Sequence, residues 1–133
     1  MIPAGHPRQA GQETLQAVLA VSFMVLPVLL GIVELGGLIH EWIGQESAAT
    51  TGARVAGERG EDDPVVRERI ALALQAAGLD PSRVAVQITP ASAHWGQAIM
   101  VELRSQRRIA IPFLFSTNLT VRTSAVGRGE INH

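Results

Sequence analysis

Four histidines, His6, His40, His94 and His133, are the side chains best suited to metal ligation or to proton transfer near neutral pH. They are scattered along the chain without companion ligands at metal spacing. The absence of cysteine excludes a thiol nucleophile, a disulfide framework and a cysteine zinc cluster. Serines and aspartates are present, but no strand-turn-helix elbow exposes a serine nucleophile. Gly57-Glu58-Arg59-Gly60 lacks both the lysine and the preceding strand of a phosphate-binding loop. Glu61-Asp62-Asp63 offers carboxylates without further oxygen ligands at defined spacing. Followed by Pro64, this cluster reads better as the cap of a helix than as a cation site. The expectation is a chain that is not an enzyme, with no catalytic residue, cofactor or metal.

The elements that could position functional residues are better marked. Of 133 residues, 47% are hydrophobic and 17% charged, and the formal charge is −1. That balance argues against a nucleic-acid partner, which a basic stripe would advertise. It also leaves the chain too apolar for a disordered tail. All eleven basic residues are arginine. No charge falls between Ala17 and Val33, and after Glu34 the apolar run resumes from Leu35 to Ile39. A helix over 17–39 is about 35 Å long, enough to cross a hydrocarbon core of roughly 30 Å. Pro27 is tolerated in such a span as a kink. The rest of the chain is too short to wrap this helix on every side, so the sequence predicts a membrane span rather than a soluble core helix. The run is also too long for a cleavable secretory signal. Arg8 on the near side gives a mild bias toward a cytoplasmic N-terminus and an exported C-terminal part.

Helical character continues past the span, from about Thr14 to Ala56. Trp42 suits a headgroup layer. Ala48, Ala49, Gly52, Ala53 and Ala56 are small enough to let a neighbouring helix or sheet approach closely. A second helix is predicted over 65–77, capped by Asp63 and Pro64 and closed by Gly78, with Val66, Ile70, Ala73, Leu74 and Ala77 on its inner face. Alternation then marks strands around Val84–Ile88, Ile99–Arg104 and Leu119–Ser124. The expected fold is α+β: a long N-terminal helix, a short helix and a small antiparallel sheet packed on the helical part. Ile109–Phe115, broken by Pro112, is open to two readings, a core-filling loop or a segment against lipid or another subunit. The tail from Gly127 to His133 reads as frayed.

Three segments add to this layout: Leu29-Leu-Gly-Ile-Val-Glu-Leu-Gly36, Ala48-Ala-Thr-Thr-Gly-Ala-Arg-Val-Ala56 and the closing Leu119-Thr-Val-Arg-Thr-Ser-Ala-Val126. On these segments the chain resembles the type IV pilin-like proteins, and more narrowly the TadE-like minor pilins of the Tad (Flp) pilus. The resemblance implies a pilin-like fold in three parts: a prepilin leader over 1–11, a hydrophobic helix over 12–57 and an exported domain over 61–133. It also implies cutting between Gly11 and Gln12 by a prepilin peptidase. Where the family commonly has a glutamate five residues after the cut, this chain has Gln16, a neutral amide that accepts a hydrogen bond but supplies no charge. Gln16, Pro27, Gly31, Glu34, Gly36, Gly52, Ala53 and Arg54 would mediate helix packing and assembly. Implied partners are membrane lipid before assembly, then other pilin subunits and assembly-platform proteins. Implied locations are the inner membrane and then an extracellular filament serving adhesion or secretion. Within the span, Glu34 reads either as a carboxylate reaching the headgroups or as a polar contact to a partner helix. The alternative from another class is a bitopic membrane protein whose outer domain binds a ligand or partner and never polymerises.

Overall fold

A computed structural model describes residues 7–130. Helix α1 runs from Pro7 to Arg59 and α2 from Pro64 to Ala76. A single 3-10 turn, Pro81–Arg83, leads into β1 (Ala85–Thr89), β2 (Ala98–Ile111) and β3 (Phe115–Arg128). The strands form one antiparallel sheet in the order β1-β2-β3. The molecule is therefore α+β, with a long apolar N-terminal helix ahead of a short helix and a three-stranded sheet.

Helix α1 contains 53 residues and is about 80 Å long. It continues through Pro27 and extends beyond the expected 14–56 at both ends. It stops at Gly60, whose φ of 71° breaks the helical path. The acidic cluster then starts α2. Asp63 accepts a hydrogen bond from the Val65 N–H at 3.0 Å, while Asp62 receives a two-pronged contact from Arg67 at 2.9 and 2.7 Å. These carboxylates thus serve the helix start, as their position before Pro64 predicts. At the other end, Leu79 N–H bonds the Leu74 carbonyl and Gly78 N–H bonds that of Gln75, both at 2.9 Å. That is a Schellman closure, and Gly78 meets its demand for positive φ at 78°.

The core lies between the C-terminal third of α1, the inner face of α2 and one face of the sheet. Ala48, Ala49, Ala53 and Ala56 pack there with Val66, Ile70 and Leu74 and with Ile99, Val101 and Leu103. The small α1 residues bring both partners close. A Cβ at Gly52 would stand 2.6 Å from Ile70 Cγ1, and one at Gly127 would collide with the Ala53 carbonyl oxygen. The sheet therefore crosses α1 at backbone distance.

Two features differ from the sequence reading. Strands β2 and β3 have 14 residues each and form one long hairpin, with Ile109–Phe115 as its far end rather than a core-filling loop. The beginning of the tail is pinned, not frayed. Glu130 N–H bonds the Gly57 carbonyl at 2.8 Å, and Gly129 N–H bonds that of Gln97 at 2.9 Å. Backbone pairing to loop and helix holds this stretch without any need for apolar side chains.

On the outer face of the sheet, Arg104 and Arg122 stand directly opposite each other, a repulsive cross-strand pair. Glu102 resolves it. Its carboxylate accepts from Arg122 Nε at 3.0 Å and Nη2 at 3.3 Å, and also from Arg104 Nε. Hydrogen bonding by Arg122, then by Arg104, holds the Glu102 carboxyl below the usual glutamate range. A carboxyl lowered by folding stabilises the fold fully above its unfolded value and loses that effect as pH falls through the folded value. Glu102→Gln is therefore expected to lower the unfolding midpoint above the ordinary glutamate range, with the deficit shrinking as the solution is acidified below it. Urea titrations of both proteins in detergent across that range check this.

Candidate assembly and membrane interface

In its most apolar stretch, toward the N-terminus, α1 has no residue buried by the rest of the chain. Leu15, Val18, Val21, Met24, Val28, Ile32 and Val33 are all exposed, Met24 to 76% and Val33 to 69%. A monomer in water does not leave so much of an apolar rod open. The helix is long and apolar enough to cross a membrane. Its expected cleavage position, Gly11-Gln12, lies on an exposed turn of α1, as does Gln16. Residues 1–6 of the expected leader, with His6, lie outside the described residues, as does His133.

The small residues divide into two groups. Gly52 and Ala53 are buried against α2 and the sheet of the same chain, so the notch at 48–56 is filled from within. Arg54 is exposed and pairs with Glu58 at 3.8 Å. Lower on α1, Gly31 faces Ile111, and a Cβ there would lie 3.5 Å from Ile111 Cδ1. Gly36 has open space around it, which leaves room for a neighbouring helix. Pro27 is half-buried beside Pro112 and Phe113 at the hairpin end.

Between the core and the apolar half of α1 lies a polar ladder. Gln45, fully buried, donates from Nε2 to Ser105 Oγ. Ser105 in turn donates to Glu41 Oε1 at 2.7 Å. Arg107 Nη1 reaches Glu41 Oε2 at 3.3 Å, and Arg107 Nη2 lies 3.8 Å from Glu34 Oε2. At 3.8 Å the last contact is a charge pair without a hydrogen bond, and among the described residues Glu34 Oε2 has no hydrogen-bond partner. The polar α1 residues follow at spacings of seven and four, on the same face as the small core residues. Their strand partners alternate on β2. The only acid inside the apolar run is thus answered by an arginine of its own chain.

This arrangement makes the two ends of the pair unequal. Arg107→Ala leaves two part-buried carboxylates on α1 without a counter-charge, Glu41 keeping only Ser105 as partner, and is expected to cost about 1–2 kcal/mol. Glu34→Leu leaves Arg107 on Glu41 and should cost under about 1 kcal/mol. Chemical unfolding in detergent, followed by tryptophan fluorescence, gives both values. Equal losses would contradict the ladder.

Below the ladder the hairpin runs down α1 toward its N-terminus. Arg107 covers Gly37, Ile111 faces Gly31, and Phe113 meets Phe23 with ring centroids 6.0 Å apart. The sequence reading missed both the ladder and this descent. The signal was present in the odd-numbered parity of Ile99, Val101, Leu103, Ser105, Arg107, Ile109 and Ile111, which polar members interrupt but do not break. Among the described residues, no group of three or more His, Asp or Glu side chains is placed to hold a metal. Against known protein families, curated proteins and solved structures, no match to this chain is found.

Proposed function

We propose that this protein is a pilin-like structural subunit, similar to the TadE-like minor pilins, held in the membrane by the lower half of α1 and then assembled through it into a filament or secretion apparatus. One observation carries the reading: a single continuous helix buries its C-terminal third in a small domain and leaves most of the circumference of its apolar N-terminal half uncovered. Lipid and a bundle of like helices are both dry surroundings, so such a rod can pass between them with little loss of apolar contact. Close packing in the bundle supplies the gain, and Gly36 offers an open position for it. Gln16 in place of a glutamate means that subunit docking does not depend on a charge at that position.

The experiment is fractionation. A tagged chain expressed in its own cells is expected both in membranes and in filaments sheared from the surface, with Gln12 as the first residue of the sheared form. The second reading is a bitopic protein that never polymerises. It is favoured by the Glu34–Arg107 pair, which neutralises the span's acid without a partner helix. Exclusive membrane retention with an uncut N-terminus would establish that reading instead.

A further inference from the structure

The apolar end of the β2–β3 hairpin lies beside the membrane-spanning half of α1, and its side chains point outward. Phe113 is 89% exposed, Leu114 65% and Phe115 54%. The turn itself is costly. Leu114 N–H bonds the Ile111 carbonyl at 3.1 Å, with Pro112 and Phe113 as the central residues. Phe113 takes φ 68°, a left-handed conformation that such a turn normally gives to glycine or asparagine. A bulky aromatic held there, almost bare, has no role in the folded core.

We propose that this hairpin end is a second lipid-contacting element, inserted into the outer leaflet alongside α1. The proposal rests on the reading of α1 as a membrane span. Three observations support lipid as the occupant. First, the end is continuous with the bare helix: Leu19, Phe23, Leu26, Pro27 and Leu30 form one apolar surface with Pro112 and Phe113.

Second, polarity changes where a membrane boundary would require it. Above the Ala110–Ser116 pair the hairpin carries Arg108, Thr117 and Asn118, all exposed. Glu34 and Arg107 mark the same height on the helix side. The 19 uncharged residues of 15–33 measure about 28 Å, close to the roughly 30 Å hydrocarbon thickness.

Third, the depth fits. Ser116 and Phe115 are strand residues and Pro112–Leu114 form the turn, so the tip lies about two strand residues, roughly 7 Å, below Ser116, within the depth reached by interfacial apolar elements. On α1 the tip sits beside Pro27 and Phe23, about 10 to 16 Å below Glu34. Open strand edges do not belong in hydrocarbon. The polar residues from Ser116 upward keep most of the ribbon edge at headgroup level, and at the turn Pro112 has no N–H to strand. Arg108 is placed to meet lipid phosphates.

The chain has no cysteine, so single labels can be placed without competition. A fluorophore attached through Phe113→Cys, in the full chain reconstituted into phosphatidylcholine vesicles, should lose its emission to nitroxides on the lipid acyl chains and keep it against aqueous iodide. Leu114→Cys should repeat this, and Asn118→Cys should show the reverse. Val21→Cys reports on α1 itself, and circular dichroism confirms that each variant is folded. If Val21 resists the lipid quencher, the span reading fails, and this proposal with it. If Val21 is quenched by lipid while the labels at Phe113 and Leu114 answer to iodide, the hairpin end lies in water and the proposal alone fails. Protection of those labels from both quenchers would show a second copy of the chain as occupant and would equally overturn it.

Discussion

The double substitution Met24→Arg with Val28→Arg is expected to abolish membrane integration while leaving the C-terminal domain folded. Both side chains are exposed on one helical face near the centre of the uncharged stretch. Each arginine at the middle of a span costs about 2.5–3.5 kcal/mol on insertion scales. The twelve Leu, Ile, Val and Phe residues of 15–33 contribute only about 0.3–0.6 kcal/mol each. Two arginines therefore cancel most or all of the driving force. Alkaline extraction of membranes should move the variant from the pellet to the soluble fraction or lead to its degradation. Replacing Arg54 and Glu58 by alanine, an exposed pair on the far end of α1, should leave the protein in the pellet. Retention of the doubly charged variant would show that α1 does not hold the protein in lipid.

The second large effect concerns the domain. Gly52→Leu is expected to unfold it or to lower its stability by about 3 kcal/mol or more. Even the first added carbon would lie 2.6 and 2.7 Å from Ile70 Cγ1 and Cδ1 and 3.4 Å from Val101 Cγ1. Ile70 and Val101 are both fully buried, so neither can swing out into solvent. Domains of this size have only about 5–15 kcal/mol in total. Better helix propensity returns at most about 1 kcal/mol of the loss. The identity of the clashing partner can be tested. Ile70→Ala alone should cost about 2–5 kcal/mol through the cavity it leaves. The pair Gly52→Leu with Ile70→Ala should be more stable than the sum of the single losses predicts, by about 1–3 kcal/mol. Strict additivity, read from urea unfolding in detergent, would show that the leucine goes elsewhere.

Much of the architecture was legible because its signals are local. The charge gap from Ala17 to Val33 announces α1, and Asp63-Pro64 with Gly78 brackets α2 nearly to the residue. Strand parity identified Ile99, Val101 and Leu103 as core residues. The long hairpin was not legible, for a physical reason. Ser105 and Arg107 occupy inward positions but are polar, because they face Gln45, Glu41 and Glu34 across 60 or more residues of sequence. Where inward side chains are chosen for hydrogen bonding and ion pairing, the hydrophobic alternation is interrupted, and the apolar members Ile109 and Ile111 beyond the gap no longer read as the same strand. The pinned tail was hidden differently, since backbone hydrogen bonds from Gly129 and Glu130 leave no trace in side-chain type. The small residues expected to pack closely were legible in part. Small size at Gly52 and Ala53 does signal close approach, but sequence cannot say that the approaching element is the chain's own sheet. Gly36, with nothing within 4 Å of an added Cβ, stays open for the helix packing expected of it.

The most direct test is sedimentation of the full chain released from membranes and transferred to buffer free of detergent. With most of the lower half of α1 uncovered, the protein should aggregate or pellet with residual lipid, and become monodisperse again only when detergent is restored. A stable, monodisperse monomer in plain buffer would mean that those side chains are covered by the molecule itself, and that α1 is neither a membrane anchor nor an assembly rod.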